Sequence, residues 1–485
     1  MKSSVSAKRA VAWSVAGQLG FLTFQLAGQI MVTRILSPYE MGIYAAAVAT
    51  TSLIYVMQAF GLNSLVVRER VLTPDLVATV FTVNIAINFL VAVTIFASSI
   101  ALAGWLGDPR ISEVLIWLPL LPLLGVVEFV PSAFLQRDMR FKAVAMITTG
   151  RALITTSVTV ILAWRGWSYM SMPWGSLAGA AFSALLFNYV GREYLTWRLG
   201  ASQLRYVLRF GFQVTAISGI NQLSSRLSVL VLGRAQGLQA LGYYSRADNM
   251  IGIIWDNIHG VLARVLVSGL AKHLREGTVS LQQAYPHIVN VATAALWPIF
   301  GGVAVLSAPL IHLMFGARWT PAAVPLSLLA LSLAIMMVNT FAWEIFIVCG
   351  QTRAQSRLEL IRAPASALFF CSLSLVGMTA AACARVLDAI LSQALYFPHI
   401  LRMTGTSYGD LWPIYRRNIL LTALAVSPAA VAMSSRGWPS SVPPGTLAAL
   451  VISGMITWGV ALVWLRHPLW IEIRAVLKKD GRTSG

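Results

Sequence analysis

Charge is scarce in this chain. Asp, Glu, Lys and Arg make up 11% of its residues and hydrophobic types 57%, whereas an ordinary soluble domain has roughly 25% charged residues. A water-facing surface cannot be built from that balance, so a soluble globular protein is excluded. Polar runs long enough to fold alone are missing: the longest connectors, 192–210 and 401–416, are short and basic. Cysteine is nearly absent. Cys349, Cys371 and Cys383 all lie in apolar segments without metal-ligand spacing, so they read as buried thiols and no metal is expected. No Walker A pattern occurs, which excludes ATP hydrolysis by this chain, and no cofactor is expected. Acid is rarer than base, giving a net charge of +19. The basic residues are scattered singly through the connectors and form no stripe, so nucleic acid is not an expected partner.

What is present is apolar length. Stretches of about 20 apolar residues, enough to cross a bilayer at 1.5 Å rise per residue, recur near 11–33, 41–63, 78–104, 112–134, 143–165, 172–191, 211–233, 249–270, 286–312, 323–348, 360–378, 380–400, 416–435 and 445–466. The fold class is therefore all-α and polytopic in a membrane, with about 14 spans. The first stretch follows Lys8 and Arg9, contains Gln18, Gln25 and Gln29 and lacks a small-residue cleavage site, so it reads as a retained helix.

Loop charge tests this count, because an error of one helix would scramble the alternation of Lys and Arg between successive connectors. With the N-terminus inside, 25 of the 36 basic residues fall on the cytoplasmic side, Arg353, Arg357 and Arg362 among them; seven fall outside and four within helices. Both termini are expected in the cytoplasm. Trp105, Trp117, Trp164, Trp167, Trp174, Trp319 and Trp438 sit near predicted outer ends, where amphipathic rings favour the interface.

An internal echo appears at an offset of 200 residues. Arg34, Gly42 and Tyr44 after the first span correspond to Arg234, Gly242 and Tyr244 after the seventh. Transporters are often built from such repeats. The expected organisation is a six-helix lobe over 1–200, a second over 201–402, and an added helix pair with a basic tail over 403–485.

The segment Arg34-Ile-Leu-Ser-Pro-Tyr-Glu-Met-Gly-Ile-Tyr44, the following Gly61-Leu-Asn63 and the connector Leu135-Gln-Arg-Asp-Met-Arg-Phe-Lys142 resemble Wzx-type polysaccharide flippases of the multidrug/oligosaccharidyl-lipid/polysaccharide exporter superfamily. The resemblance implies two lobes about a central cavity, alternating access, and export of undecaprenyl-pyrophosphate-linked glycan units across the inner membrane. It implies a transporter rather than an enzyme. Its partners would be the lipid-linked anionic glycan, membrane lipids, and polysaccharide polymerase and export machinery.

Charges at bilayer depth cost several kcal/mol and need a partner or a wet cavity. Glu128 and Arg151, each about eight residues from the loop joining their helices, sit at matching depth and are expected to pair. Arg226 and Asp256 also match in depth and can either neutralise each other or serve a cargo. Arg264 has no acidic neighbour at its depth; a guanidinium there suits planar, bidentate contact with a pyrophosphate. Arg385 and Asp388, three apart on one helix face, read first as a self-neutralising pair. The candidate substrate-binding residues are Arg264, Arg226, Arg151 and Arg385, and Asp256 and Asp388 are the conceivable cation-coupling residues. At the 200-residue offset Arg226 matches Leu26 and Arg264 matches Ser64, so these charges break the repeat. Rival readings are a drug/cation antiporter of the same superfamily, which would favour acidic cavity residues, a lipid II flippase, and a membrane glycan polymerase, which would need a large outer loop.

Overall fold

The computed structural model describes residues 23–58, 60–195, 197–275, 280–471 and 474, with side chains left undescribed over 213–214, 216–225 and 258–275. Two compact units divide the chain, Met1–Gly242 and Tyr243–Gly485. The first holds α1 (23–35), α2 (Pro38–Ile54), α3 (Leu62–Arg68), α4 (Pro74–Leu106), α5 (Arg110–Trp117), α6 (Leu120–Arg137), α7 (Phe141–Trp164), α8 (Ser171–Val190) and the start of α9 (Leu204–Arg275). The second holds the rest of α9, then α10 (Leu281–Val305), α11 (Ser307–Phe315), α12 (Ala323–Met336), α13 (Ala342–Val348), α14 (Thr352–Ser374), α15 (Met378–Thr404), α16 (Tyr408–Ser434) and α17 (Pro444–Trp464). Eleven helical stretches among the described residues are long and apolar enough to cross a membrane, and each overlaps one predicted span. The predicted spans 11–33, 211–233 and 249–270 fall partly outside the described residues or on undescribed side chains.

The packing is inside out. On α4, Asn84, Asn88 and Ser99 are buried while Phe89, Leu90, Val93, Phe96 and Ile100 are exposed; α17 likewise exposes Met455, Ile456 and Val460. Such faces are intolerable in water and are what hydrocarbon solvates. Trp105, Trp117, Trp164, Trp167 and Trp438 are exposed as an interfacial belt requires, but Trp319 is fully buried against Phe315 and Tyr243. Its place at a span end reflects packing rather than the interface.

Four predicted spans are broken; the break in 41–63 belongs to the site below, and proline or left-handed backbone marks two of the other three. Span 112–134 divides at Pro119 into α5 and α6, because proline fits a first helical turn but removes an interior hydrogen bond. Span 286–312 divides into α10 and α11 at Leu306. Span 323–348 divides at a 3-10 turn, Met337–Asn339, and at Phe341, whose φ is 55°. The carbonyls around that last break have foreign donors: Trp297 Nε1 reaches Ala334 O at 2.8 Å, Gln393 Nε2 reaches Ile335 O at 2.9 Å, and Tyr415 Oη reaches Val338 O at 2.8 Å. Without water, such donors are what lets a spanning helix break at all.

The 200-residue echo has a physical basis. Ser37, extended at ψ 159°, separates α1 from α2 and closes a capping box with Glu40; Gly237, at φ 83° and ψ 166°, interrupts α9 at the equivalent place. The stretch 234–248, expected as a connector, is therefore helical on both sides of one residue, because a single glycine with positive φ suffices to redirect the chain. Gly42 and Gly242 then meet the opposite segment's backbone reciprocally. A Cβ on Gly42 would lie 1.8 Å from Leu238 O, and one on Gly242 would lie 1.8 Å from Pro38 O. The contacts obey the offset at all four positions. Ordinary packing of α7 on α8 uses the same device of small residues: Gly175 and Gly179 face Thr159 and Thr155.

The C-terminal helix is latched by a buried polar cluster. In the turn after α17, His467 is fully buried; its Nε2 contacts Asn290 Oδ1 at 2.7 Å and Asn418 Oδ1 at 3.0 Å, and its Nδ1 accepts the Leu469 N–H. Asn418 Nδ2 donates to Thr293 Oγ1 at 2.6 Å. An Nδ1 that accepts leaves Nε2 as the donor, so this imidazole is neutral. Burial, then nearby Arg417 and His287, pushes its pKa down to about 4.

Two outcomes follow. Gly42→Ala and Gly242→Ala should each destabilise the protein by about 1–3 kcal/mol, since backbone rather than a flexible side chain must move; Gly104→Ala, with open space around it, should be neutral or slightly stabilising. Thermal unfolding in detergent checks both. Second, the unfolded histidine takes a proton near pH 6.5 and the folded one only near pH 4, so the latch's full stability holds above pH 6.5 and declines as pH falls toward 4. From pH 7 to 5 the loss should be about 2 kcal/mol, and His467→Ala should flatten that part of the pH–stability curve.

Candidate functional site

The span Pro38–Arg68 does not run as one helix. After α2 it tightens into a 3-10 turn, Tyr55–Gln58, and restarts at α3 behind Gly61, whose φ is 66°. Irregular backbone at membrane depth is tolerated where it lines a polar cavity, and here it does. A cavity of about 400 Å³ in the first unit is lined by Tyr55, Gln58 and Asn63 from this break, Asn84 and Asn88 from α4, Glu128 and Phe129 from α6, and Arg151 from α7. Arg151 lies ten residues into the 24-residue α7, about 15 Å along a helix of about 36 Å. The cavity is at mid-depth.

Arg151 Nη1 lies 3.3 Å from Glu128 Oε1, the pair expected from matching depth, and Ser183 Oγ donates to Glu128 Oε2 at 2.7 Å. Arg151 keeps 42% of its side chain accessible and Glu128 19%, so the guanidinium still faces the cavity. A chain of amides runs alongside. Gln58 Nε2 donates to Asn88 Oδ1 at 2.7 Å, and Asn88 Nδ2 donates to both the carbonyl O and Oδ1 of Asn84 at 2.8 Å. Asn84 Nδ2 is buried with no hydrogen-bond partner.

The other expected residues are placed as follows. Arg226, on α9, is half-buried with its Nε unpartnered, and Asp256 is exposed. The Arg264 side chain lies outside the described residues. Arg385 and Asp388 do not pair. Asp388 is buried and takes Arg362 Nη1 at 2.8 and 3.0 Å, while Arg362 Nη2 binds Glu359 Oε1 at 2.6 Å and Tyr396 Oη donates to Glu359. Arg385 instead donates from Nε to Tyr244 Oη at 3.3 Å and stacks over Phe370 at 5.4 Å. Shared helix face brought the two close in sequence terms, but a second arginine on α14 satisfies the carboxylate first. Arg362, assigned above to a cytoplasmic connector, lies within α14. Asp388 already has its cation, which weakens it as a coupling site.

Attention to charge alone missed Gln58, Asn63, Asn84 and Asn88, and reading Arg362 as part of a connector hid both it and Glu359. The signals were present: Asn84 and Asn88 are four apart in an otherwise apolar span, and Glu359 and Arg362 are three apart, spacings that align side chains on a helix.

A helical bundle that exposes apolar side chains and buries a polar cavity at mid-depth is the build of a polytopic membrane transporter. The sequence matches the model of the family described as polysaccharide biosynthesis protein over residues 31–324, and the chain belongs to that family. Among its relatives, the lipopolysaccharide biosynthesis protein WzxC of Escherichia coli (strain K12) is 25% identical over 480 residues, covering 95% of this chain and 94% of that protein. The succinoglycan biosynthesis transport protein ExoT of Rhizobium meliloti (strain 1021) is 27% identical over 86% of this chain and 82% of that protein. In fold, the chain is similar to the lipid II flippase MurJ in an inward closed conformation, with a TM-score of 0.75 at 11% identity over 94% of this chain and 99% of that one. It is also similar to an inward-facing MATE family transporter of the MOP superfamily, with a TM-score of 0.61 at 13% identity over 79% of this chain and 95% of that one. The resemblance to Wzx-type flippases of that superfamily is borne out.

Arg362→Leu should cost about 3–5 kcal/mol, because it strands two carboxylates in a poorly hydrated place. A Glu359→Gln/Arg362→Leu/Asp388→Asn triple variant should recover much of that loss in the same thermal assay.

Proposed function

We propose that this chain flips undecaprenyl-pyrophosphate-linked oligosaccharide units across the inner membrane by alternating access, with both termini in the cytoplasm. The observation that carries the reading is the mid-depth cavity that keeps Arg151 accessible, in a chain whose family serves polysaccharide biosynthesis. Moving a glycan and a pyrophosphate through hydrocarbon unaided would forfeit many hydrogen bonds and bury charge; a polar passage removes that barrier while the polyprenyl tail stays in lipid. The reciprocal contacts of Gly42 and Gly242 support two repeats, which we assign to lobes over 1–200 and 201–402 with an added helix pair over 403–485. Arg226 and Arg264 are proposed to guide the anionic head group, and Arg151, in the cavity, is proposed to contact the cargo there. Arg385, held by Tyr244, is proposed as a minor contributor, and Asp256 is the remaining candidate for cation coupling. Downstream polymerase and export machinery would take the flipped unit.

The test is complementation of a deletion strain. Arg264→Ala and Arg151→Ala should each lower surface glycan at least tenfold with protein levels intact, and glycan-bearing lipid should accumulate at the inner leaflet. Normal surface glycan in either variant removes that arginine from the mechanism.

A further inference from the structure

The cavity of the first unit holds one arginine, and that arginine already faces a carboxylate 3.3 Å away. Among the described residues its lining carries no other charge. What it offers in quantity is amide. The orientation of the amides is pinned: only a nitrogen can donate to the Asn84 carbonyl, so Asn88 Nδ2 points there and at Asn84 Oδ1, and its Oδ1 is left to accept from Gln58. All donors therefore run one way, from Gln58 through Asn88 to Asn84, and the chain ends on Asn84 Nδ2. That group is buried on a residue only 6% exposed, borders the cavity, and has no acceptor. A buried donor left empty costs about 1–3 kcal/mol, and such costs are retained where a ligand supplies the partner. Tyr55 and Phe129 add aromatic surface to the same wall.

We propose that this cavity is a subsite for an uncharged, hydroxyl-bearing sugar residue of the cargo, read by Asn84 and Asn88, and not a seat for the pyrophosphate. Hydroxyls both donate and accept, which matches an amide wall. A diphosphate brings only acceptors and negative charge, which Glu128 would repel. At about 400 Å³ the space lies in the range of small-molecule sites and suits one or two sugar rings. The inference rests on the flippase reading and deepens it: the anion is left to the cationic residues elsewhere, and glycan selectivity is assigned to neutral side chains.

The experiment measures binding of two probes to the purified full chain in nanodiscs: the host's own polyprenyl-pyrophosphate-linked oligosaccharide, and polyprenyl pyrophosphate without sugar. Asn84→Leu should weaken the first at least tenfold, leave the second within twofold, and raise or preserve the thermal midpoint because an unsatisfied donor has gone. Asn84→Ala, which removes the donor and adds neither bulk nor charge, should reproduce the selective loss. Unchanged affinity for the glycan-linked probe in both variants, or equal loss for both probes, overturns the sugar subsite while the flippase reading stands. Failure of the wild-type chain to bind the glycan-linked probe overturns both. A lowered midpoint with unchanged affinities would mark Asn84 as structural and overturn the subsite as well.

Discussion

Hydrocarbon offers no hydrogen bonds, and the build of this molecule follows from that one constraint. Each backbone N–H and C=O must find a partner within protein or a polar cavity, so regular helix is the default and every interruption has to be accounted for. At Met337–Asn339 the account is three side chains from three other helices, Trp297, Gln393 and Tyr415, each donating to a carbonyl near the break. At Tyr55–Gly61 it is a cavity. The two breaks look alike in backbone terms and differ in what serves them: one is sealed by protein, the other opens onto space.

The same constraint orders the charged residues. Glu128 with Arg151, and Glu359 and Asp388 with Arg362, leave each carboxylate facing a cation. Arg385 has a phenol and an aromatic face in place of a carboxylate. Interior polarity is thus spread over short local clusters, each joining neighbouring helices, while side chains such as Ile100 and Met455 are left to lipid.

The fold was largely legible because apolar length is an average over many residues, and the internal echo falls at matching places in the helix order. Helix positions for eleven spans could be read that way, and so could the Gly42 and Gly242 correspondence. Breaks within spans were harder: Pro119 carries a local signature, whereas the interruption at Phe341 depends on donors contributed from Trp297, Gln393 and Tyr415, far away in sequence. The candidate site was half legible. Glu128 and Arg151 could be paired from their depth alone, but Asp388 was matched with Arg385 because spacing on one helix is visible in sequence and the approach of Arg362 from another is not. Uncharged Asn84 and Asn88 escaped because their cost in hydrocarbon is real but smaller than that of a formal charge.

The latch around His467 makes the segment after α17 part of the interior. Asn290 and Asn418 belong to α10 and α16, yet the imidazole facing their side-chain oxygens comes after α17. A fluorescent protein fused beyond residue 471 leaves those contacts in place, whereas trimming the chain back to Leu465 strips a ring from two buried amides. Tagging and truncation at this end are thus opposite operations, one cosmetic and one reaching into the helix bundle.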